Sequence, residues 1–499
     1  MASRTASNVP GGVRLGFPTK FAYGFGSIAY GIKDNGFSTL LLLFYNQVIG
    51  LPADLVGLAI MFALVLDAFI DPVIGHLSDQ TKSRWGRRHP FMYAAAIPIG
   101  LTYLLLWNPP TGSQVETVIY LIVIAVLVRT ALSCYEVPSS ALAPELSSDY
   151  HERTSILGYR YIFGWLGGMG MLLLTFGVFL APSAEYPVGQ LNPGGYATYS
   201  IVAATIMVVA IFVSAAGTHS QISRLPRFEG KRTSLRETFG GIIGTLKNKA
   251  FLILIAAGVF NYTNQGLNFA LSTYFNTFLW EFPAWILAVF TVAVMVGVVL
   301  AFWSAKFFSK LWGKRGAAVR FAIVYVFVAT APFLLRYARV FPENGDPMLL
   351  PLLMALTTFG VALGVGGMIL GASMMSDVVE QAQEQSGERK EGLFFAGSFF
   401  MQKCVSGIGL FLSGALLAFV AFPAAAVPGE VPLSVLDNLT LIYSAITIVL
   451  GLIGAAIISR FPISEADHEE RLARLAETAS HTNPLPGSEP EYPARGTSN

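Results

Sequence analysis

Long apolar runs dominate the chain, and they constrain its fold more than any other feature. Twelve of them reach the length of about 17 to 25 residues that an α-helix needs to cross a bilayer. Hydrophobic residues make up 54% of the 499 residues and charged residues 12%, whereas soluble domains carry about 25% charged residues. We therefore predict an all-α polytopic membrane protein with twelve transmembrane helices. The predicted spans are 22–50, 54–78, 89–108, 116–143, 155–181, 195–217, 249–279, 284–306, 316–337, 349–376, 392–422 and 437–460.

Positive charge divides the predicted loops into two classes. If the N-terminus is cytoplasmic, nearly all Lys and Arg clusters fall on the cytoplasmic side, with Arg336 and Arg339 as exceptions. Basic residues concentrate in cytoplasmic loops. We therefore expect the protein to lie in a bacterial cytoplasmic (inner) membrane with both termini on the cytoplasmic side. The predicted segments are a cytoplasmic N-terminal segment (1–19), an N-terminal six-helix half (20–217), a cytoplasmic linker (218–248), a C-terminal six-helix half (249–460) and a cytoplasmic tail (461–499).

Two short helices are predicted outside the bilayer. The linker carries an amphipathic pattern from Ser234 to about Leu246, and the tail begins with a polar helix from Ser464 to Ala479. The end of the tail is rich in Pro, Gly and Ser, a composition typical of disorder.

A four-residue sequence repeat indicates that the two halves are related. Trp85-Gly86-Arg87-Arg88 follows the second span, and Trp312-Gly313-Lys314-Arg315 follows the eighth. Matching positions in two six-span units favour a duplicated transporter architecture, in which the substrate binds midway between the halves. We expect these loops to form a cytoplasmic gate. Its predicted residues are Asp79, Arg84, Trp85, Gly86, Arg87, Arg88, Trp312, Lys314 and Arg315.

Two carboxylates lie near the end of the second apolar run. Asp67 and Asp71 are four residues apart, so on a helix they project from one face. A charged residue near the bilayer centre costs about 2.5 to 3.5 kcal/mol even on lenient scales, and it usually faces an aqueous cavity or a partner. The alternative is that Asp71, next to Pro72, only caps a helix break.

Lys403 is the predicted partner of this pair, because it lies deep within the eleventh apolar run. Two neighbouring carboxylates are costly to ionise unless a cation compensates them. Lys403 can hold the pair when the site is empty, and Na+ or H+ can displace or join it. The predicted cation ligands are Asp67, Asp71, Ser133 and Glu136. The alternative is a set of salt bridges that merely holds helices together.

Other polar and aromatic side chains within the spans are candidates for solute binding. The fourth span places Arg129 and Glu136 seven residues apart, on roughly one helix face. Aromatic rings facing a cavity can stack on a sugar. The predicted solute-binding residues are Asp34, Arg129, Tyr135, Glu136, Arg160, Trp165 and Lys403.

Catalytic interpretations find little support in the sequence. It contains no nucleotide-binding Gly-x-x-x-x-Gly-Lys-Ser/Thr loop, no nucleophile elbow and no Cys or His pair at metal-ligand spacing. Its two cysteines, Cys134 and Cys404, both fall within apolar runs. We therefore predict a secondary transporter and not an enzyme, with no cofactor beyond a coupling ion, no metal beyond Na+ and no nucleic-acid partner.

The sequence resembles the glycoside-pentoside-hexuronide:cation symporters of the major facilitator superfamily, to which the bacterial melibiose permease belongs. The resemblance covers nearly all of residues 20–460. It implies that Asp67 and Asp71 hold the coupling cation, that Lys403 lies near them, and that Glu136 and Arg160 help to bind a sugar. The residues that carry it are Asp67-Ala-Phe-Ile-Asp71-Pro72, Arg84-Trp85-Gly86-Arg87, Tyr135-Glu136-Val-Pro138, Glu152-Arg153-Thr154, Arg160, Asp377-Val-Val-Glu380 and Lys403.

The sequence also departs from the family pattern at solute-binding positions. Gly31 stands where the melibiose permease has a sugar-binding aspartate, with Asp34 about one turn away. Glu136 replaces a shorter acid, and Ser140 replaces a tryptophan that stacks on sugar. Arg129 has no recognised counterpart and would suit an anionic solute such as a hexuronide. These differences leave the individual solute open.

The resulting hypothesis is cation-coupled (Na+ or H+) symport of a sugar, glycoside or hexuronide by alternating access, by a protein that works as a monomer. A second hypothesis keeps the fold and changes the solute to a lysophospholipid or another amphiphile, since a branch of the same family carries lipids. A remote third hypothesis is a membrane-embedded enzyme.

Overall fold

The computed structural model describes residues 15–147, 150–224, 234–386 and 391–463, and within these residues the secondary structure is helical, with no strand. Most of the predicted N-terminal segment lies outside the described residues. The predicted tail helix, Ser464 to Ala479, lies wholly outside them.

The first predicted span is a chain of short helical pieces. It comprises α1 (Phe17–Phe25), α2 (Ser27–Asn35), a π-helical turn (Gly36–Leu40), α3 (Leu41–Leu43) and a second π-helical turn (Phe44–Val48). At the break between α1 and α2, the backbone of Gly26 passes so close to Tyr135 that any Cβ would overlap the phenol. The interruption between α1 and α2 therefore lies at a position where a larger residue would not fit.

The rest of the N-terminal half consists of five long helices. Their ends differ from the predicted spans by a few residues; α6, for example, begins two residues early because Ser113 and Glu116 form a capping box there. The helices are α4 (Ala53–Gln80), α5 (His89–Leu106), α6 (Gln114–Leu146), α7 (Tyr150–Leu174, continued by a π-helical turn, Thr175–Phe179) and α8 (Pro193–His219).

The described part of the linker contains one short α-helix, α9 (Leu235–Thr245). Ser234 and Glu237 form a capping box at its start, so the predicted amphipathic helix is confirmed. Helix α9 packs against α4 and the eleventh span, with the Phe239 ring 6.3 Å from the ring of Phe69. It therefore touches both halves at the end of the bundle where the linker lies, which we call the linker end.

The C-terminal half contains five α-helices for six predicted spans. One of them, α11, is 54 residues long and contains a break at Gly313, where φ is +67° and ψ is 163°. This break lies between the two predicted spans 284–306 and 316–337, so α11 corresponds to both. The helices are α10 (Lys249–Tyr274, continued by a π-helical turn, Phe275–Leu279), α11 (Ala284–Tyr337), α12 (Leu349–Ser386), α13 (Glu391–Phe419) and α14 (Leu433–Ile458).

Ten helices among the described residues are long and apolar enough to cross a membrane. The fragmented first span is not among them, and α11 counts once although it contains two spans. Adding these two gives the twelve spans that the sequence predicts.

The helix contacts repeat between the halves. The first span packs on α7 and α8 as its counterpart α10 packs on α13 and α14, and α4 packs on α6 as α11 packs on α12. Gly86 and Gly313, in the two loops that share the repeated residues, both have positive φ, of 72° and 67°, which glycine adopts at little cost. The repeat therefore corresponds to equivalent backbone turns in a duplicated fold.

The seam between the halves is formed by α4 against α13 and by α7 against α11. At the end opposite the linker, hydrogen bonds join the halves directly. They include Thr273 Oγ1 to the carbonyl oxygen of Thr39 (3.0 Å), Tyr274 OH to Asn46 Oδ1 (2.8 Å) and Gln190 Nε2 to the carbonyl oxygen of Phe282 (2.8 Å). The bundle is therefore closed at this opposite end.

Close packing at the seam yields a stability prediction for Gly414. A Cβ at Gly414 would overlap the carbonyl oxygen of Ala53 in α4, whereas a Cβ at Gly371 would meet nothing within 4 Å. We expect Gly414→Ala to destabilise the fold by about 1 to 3 kcal/mol, as overpacking does, and to lower the melting temperature in detergent. The matched Gly371→Ala change should be neutral, and equal melting temperatures for the two variants would contradict this packing.

Candidate functional site

The paired carboxylates lie on one face of α4, as predicted. Pro72 lies inside α4, yet the helix continues to Gln80. Asp71 is thus within the helix and does not cap a break, so that alternative is wrong. The two side chains meet a common partner from α6, because Ser133 Oγ lies 2.8 Å from Asp67 Oδ1 and 2.7 Å from Asp71 Oδ1.

Three oxygen atoms therefore converge between α4 and α6. A serine hydroxyl carries one proton, so Ser133 donates to Asp67 or to Asp71 but not to both at once. The other carboxylate oxygen then faces the hydroxyl oxygen without a proton between them. This arrangement offers a place for either a bound proton or a small cation that prefers oxygen ligands.

Lys403 reaches this pair from α13, across the seam between the halves. Its Nζ lies 3.0 Å from Asp67 Oδ2 and also contacts Asp71 Oδ2. The predicted proximity of Lys403 to the two acids is thereby confirmed. The ion pairs of Lys403 with the two acids therefore link the two halves near the middle of the transmembrane helices.

Arg129 contacts Asp67, which the sequence did not predict. Its Nε and Nη2 lie 3.1 and 3.0 Å from Asp67 Oδ2, and its guanidinium lies 5.1 Å from the centroid of the Phe37 ring. Arg129 is one helical turn from Ser133, so both approach the acids from one face of α6. The guanidinium is bound to Asp67 in this structure, and the role of Arg129 as a solute ligand stays a prediction.

The exposed fractions of the side chains divide the cluster into a buried part and a partly exposed part. The side chains of Asp67 and Arg129 are each 2% exposed, whereas those of Asp71 and Lys403 are 24% and 19% exposed. Breaking a fully buried ion pair by removing one partner is strongly destabilising. We therefore interpret Asp67 and Arg129 as the fixed part of the cluster, and Asp71 and Lys403 as the part that can exchange partners.

A looser pair lies on α6 and α7. Glu136 Oε1 is 3.9 Å from Arg160 Nη2, and Arg160 Nη1 donates to Ser139 Oγ at 3.2 Å. Both charged side chains are partly exposed. Their polar atoms therefore remain available to a polar solute, and the solute-binding roles of both residues stay predictions, as does the role of Glu136 as a cation ligand.

The first span contributes a further charged pair that we predicted incompletely. Asp34 is 49% exposed and lies 3.3 Å from Lys33 Nζ, while the side chain of Lys33 is buried and its Nζ sits 5.0 Å from the centroid of the Tyr30 ring. Asp34 remains a predicted solute ligand. Lys33 was not selected, although a lysine inside an apolar span was the signal that could have identified it.

The two aromatic candidates have different outcomes. Tyr135 is 1% exposed and donates its hydroxyl hydrogen to Ser214 Oγ at 2.9 Å, so its ring is packed inside the N-terminal half. The ring is therefore not accessible to a sugar in this structure, and the solute-binding role of Tyr135 stays a prediction. Trp165 is exposed on α7, and its role stays a prediction.

The predicted gate residues of the N-terminal half form a network at the linker end. Arg88 Nη2 lies 2.5 Å from Asp79 and 3.0 Å from Glu145, and Arg87 Nη2 lies 2.8 Å from Glu145. The Arg84 guanidinium lies over the Trp85 ring. We did not predict Glu145; an acid at the cytoplasmic end of the fourth predicted span, on the same side as the 84–88 arginine cluster, was the available signal.

The C-terminal half repeats this arrangement. Lys314 Nζ lies 2.6 Å from Asp377 Oδ1 on α12, the counterpart of α6. Arg315 donates to the carbonyl oxygen of Phe461 at 3.1 Å, and the Trp312 ring stacks under the guanidinium of Arg320. These contacts lie within one half, as do those of Arg87 and Arg88. They connect elements within each half. A gating role between the halves stays a prediction.

Known symporters are similar to this chain in sequence over most of its length. An uncharacterized symporter of Synechocystis sp. is 28% identical over 92% of this chain and 96% of its own length. The inner membrane symporter YicJ of Escherichia coli is 26% identical over 82% and 84%, and the sodium-dependent lysophosphatidylcholine symporter 1-B of Danio rerio is 27% identical over 91% and 88%.

Solved structures show the same architecture at low identity. The xylose transporter XylE of E. coli, in an inward-open conformation, superposes with a TM-score of 0.62 at 12% identity and covers 92% of this chain and 99% of its own. The likeness confirms the predicted twelve-helix fold.

A family model described as MFS/sugar transport protein matches residues 22–465, which is most of the chain and includes all the clusters described above. Together with the symporters that the chain resembles, this match confirms the resemblance to the glycoside-pentoside-hexuronide:cation group that the motifs indicate. The chain belongs to the MFS/sugar transport protein family.

Proposed function

We propose that the protein is a secondary active transporter that couples the movement of a sugar, glycoside or hexuronide to Na+ or H+ by alternating access. The observation that carries this proposal is the contact of Lys403, from one half, with Asp67 and Asp71, from the other. A cation that binds the acids competes with Lys403 for them. Ion binding therefore acts directly on a contact that holds the two halves together.

The coupling follows from electrostatics. With the acids ionised, Lys403 is attracted to both of them across the seam. An incoming cation neutralises part of that charge and weakens the attraction, so the energy of the seam depends on whether the ion is bound. A ligand shifts a conformational equilibrium only through such a differential interaction. The hydrogen bonds at the opposite end must break when the site opens there.

The accessible charged groups favour a polyhydroxylated solute. Asp34, Glu136 and Arg160 can accept or donate several hydrogen bonds to sugar hydroxyls, and each has exposed side-chain surface. An amphiphile would need an apolar lateral opening, which these charged groups do not provide. We therefore keep the lysophospholipid as the second candidate. Because Arg129 is bound to Asp67, it supplies no argument for an anionic solute.

We place the linker end of the bundle in the cytoplasm. This orientation follows the distribution of Lys and Arg along the sequence. It places both termini on the cytoplasmic side of a bacterial inner membrane. The proposal involves no enzymatic step, no cofactor besides the coupling ion and no nucleic acid, and a single chain supplies both halves of the site.

A thermal-shift panel tests the function. Purified protein is heated with sugars, glycosides, glucuronides and lysophospholipids, each in sodium and in choline buffers and at two pH values. We expect a polyhydroxylated solute to raise the melting temperature, and the rise to depend on the coupling ion, because linked ligands stabilise the same state. Stabilisation by a lysophospholipid and by none of the sugars would move the proposal to the second candidate.

A further inference from the structure

A tyrosine of the first span lies among the accessible charged groups. Tyr30 is in α2, one helical turn before Asp34, and its side chain is partly exposed. The charged groups that act on its hydroxyl are Asp34, Glu136, Arg160 and Arg129. The first three of these are the groups that the proposed function assigns to the solute. Tyr30 therefore lies beside a solute that they bind, although the sequence prediction did not select it.

The Tyr30 hydroxyl is available to a solute. It forms no hydrogen bond with any residue that the structure describes, and its oxygen is not buried. Tyr23, seven residues earlier, shows the opposite arrangement, because it is fully buried and donates to the carbonyl oxygen of Ser139 at 3.0 Å. A phenol that only fills space in a packed interior usually finds such a partner. Tyr30 lacks one and faces an accessible space.

The ring of Tyr30 already carries a cation on one face. Lys33 Nζ lies 5.0 Å from the ring centroid, and the Lys33 side chain is buried. A cation over an aromatic face is attracted by the ring, and a second cation at the same ring would be repelled by the first. A quaternary ammonium head group is therefore disfavoured at Tyr30, whereas an uncharged ring meets no such repulsion.

The cations beside this ring have acidic partners. Lys33 Nζ lies 3.3 Å from Asp34 Oδ1, and Arg160 Nη2 lies 3.9 Å from Glu136 Oε1. Neither pair leaves an unpaired cation for a carboxylate on the solute. Hydroxyl groups can both donate to the acids and accept from the guanidinium. The surroundings of Tyr30 therefore match an uncharged polyhydroxylated solute.

We propose that Tyr30 is the stacking surface of the solute site, on which the C–H face of an uncharged sugar ring lies while the neighbouring charged groups bind its hydroxyls. This inference rests on the proposed function, because it names a solute contact of the same site. A pyranose ring has an apolar face and a polar edge, so it fits an aromatic ring set among paired charges. An open-chain polyol has the hydroxyls without the face. The solute is thus selected by its ring as well as by its hydroxyls.

A comparison of rings with an open chain tests this role. Affinities of the full-length protein for methyl pyranosides of glucose, galactose and xylose, and for glucitol, are measured from the rise of melting temperature with concentration. We expect wild type to bind at least one pyranoside about tenfold more tightly than glucitol, the preference that a stacking contact supplies. Tyr30→Phe should keep this preference, and Tyr30→Leu should lose most of it. Tyr337→Leu, at an exposed tyrosine at the end of α11, should behave as wild type.

Two results would overturn the stacking role. One is a Tyr30→Leu variant that keeps the preference for the pyranoside. The other is an equal loss of pyranoside and glucitol affinity in Tyr30→Leu, because a general packing defect lowers both alike. A preference lost equally in Tyr30→Phe and Tyr30→Leu would assign selection to the hydroxyl and would also contradict stacking.

A labelling measurement covers the case in which Tyr30→Leu does not fold. Tyr30→Cys is combined with Cys134→Ser and Cys404→Ser, which removes the other two cysteines, and is treated with a water-soluble maleimide. We expect the thiol to react, and a saturating pyranoside to slow the reaction at least fivefold. An unreactive thiol, or a rate unchanged by the sugar, would overturn the inference.

Failure of this inference differs from failure of the proposed function. If wild type binds a pyranoside and Tyr30→Leu binds it with the same selectivity, the function stands and the role of Tyr30 is wrong. If wild type binds lysophosphatidylcholine and none of the sugars, the function moves to its second candidate, and the stacking role is overturned with it.

Discussion

The Asp71→Asn variant is expected to lose accumulation of solute against a gradient while keeping solute exchange. The amide cannot take up or release the coupling ion, so the solute should only equilibrate, and its inside-to-outside ratio should fall to about 1, since no ion gradient then contributes free energy. The amide oxygen can still accept a hydrogen bond from Lys403, and the amide NH2 can donate to Ser133 Oγ, whose own hydrogen then goes to Asp67; the packing of the site is thereby preserved. Reconstituted liposomes with an imposed gradient, and separately with solute on both sides, measure the two activities.

Asp54→Asn is the matched control for this change. Asp54 lies in the first turn of the same helix, α4, far from the acid pair. It should accumulate solute as wild type does. Full accumulation by Asp71→Asn under the same conditions would remove Asp71 from the coupling site.

Replacing Lys403 with methionine should cost both transport and stability. Lys403→Met leaves Asp67 paired with Arg129 and removes the ammonium group that contacts Asp71. Removing one partner of a buried ion pair costs about 3 to 5 kcal/mol, and the partial exposure of Lys403 puts the expected loss near the lower limit. We expect a melting temperature in detergent several degrees below that of wild type, together with loss of accumulation.

A double variant separates the charge effect from packing. Adding Asp71→Asn to Lys403→Met removes the unpaired carboxylate, so much of the lost stability should return, as expected for residues in contact. Lys310→Met, at an exposed lysine of α11, controls for the substitution itself. Additive losses in the double variant would show that the contact between Lys403 and Asp71 contributes little.

The sequence predicts the central cluster because burying charge in a membrane leaves few alternatives. Asp67, Asp71 and Lys403 each lie within apolar runs, and a charge at that depth requires a partner. The one-turn spacing of the acids sets their common face. These two facts suffice to bring together residues that are more than 330 positions apart.

Other features depend on distances that a sequence does not contain. The spacing of Arg129 and Ser133 shows that they share a face of α6, but not that this face meets Asp67 instead of a solute. The burial of Tyr135 depends on the close passage of Gly26 and on Ser214 in α8. Local hydropathy likewise does not reveal that the first span is fragmented.

Ion movement driven by solute tests the central claim most directly. Liposomes containing the protein and dyes for internal pH and internal sodium are given a transported solute without any imposed gradient. The account predicts that the wild type carries an ion inward with the solute, and that Asp71→Asn admits the solute without it. An ion signal of equal size in both proteins would contradict the assignment of coupling to the contact between the acid pair and Lys403.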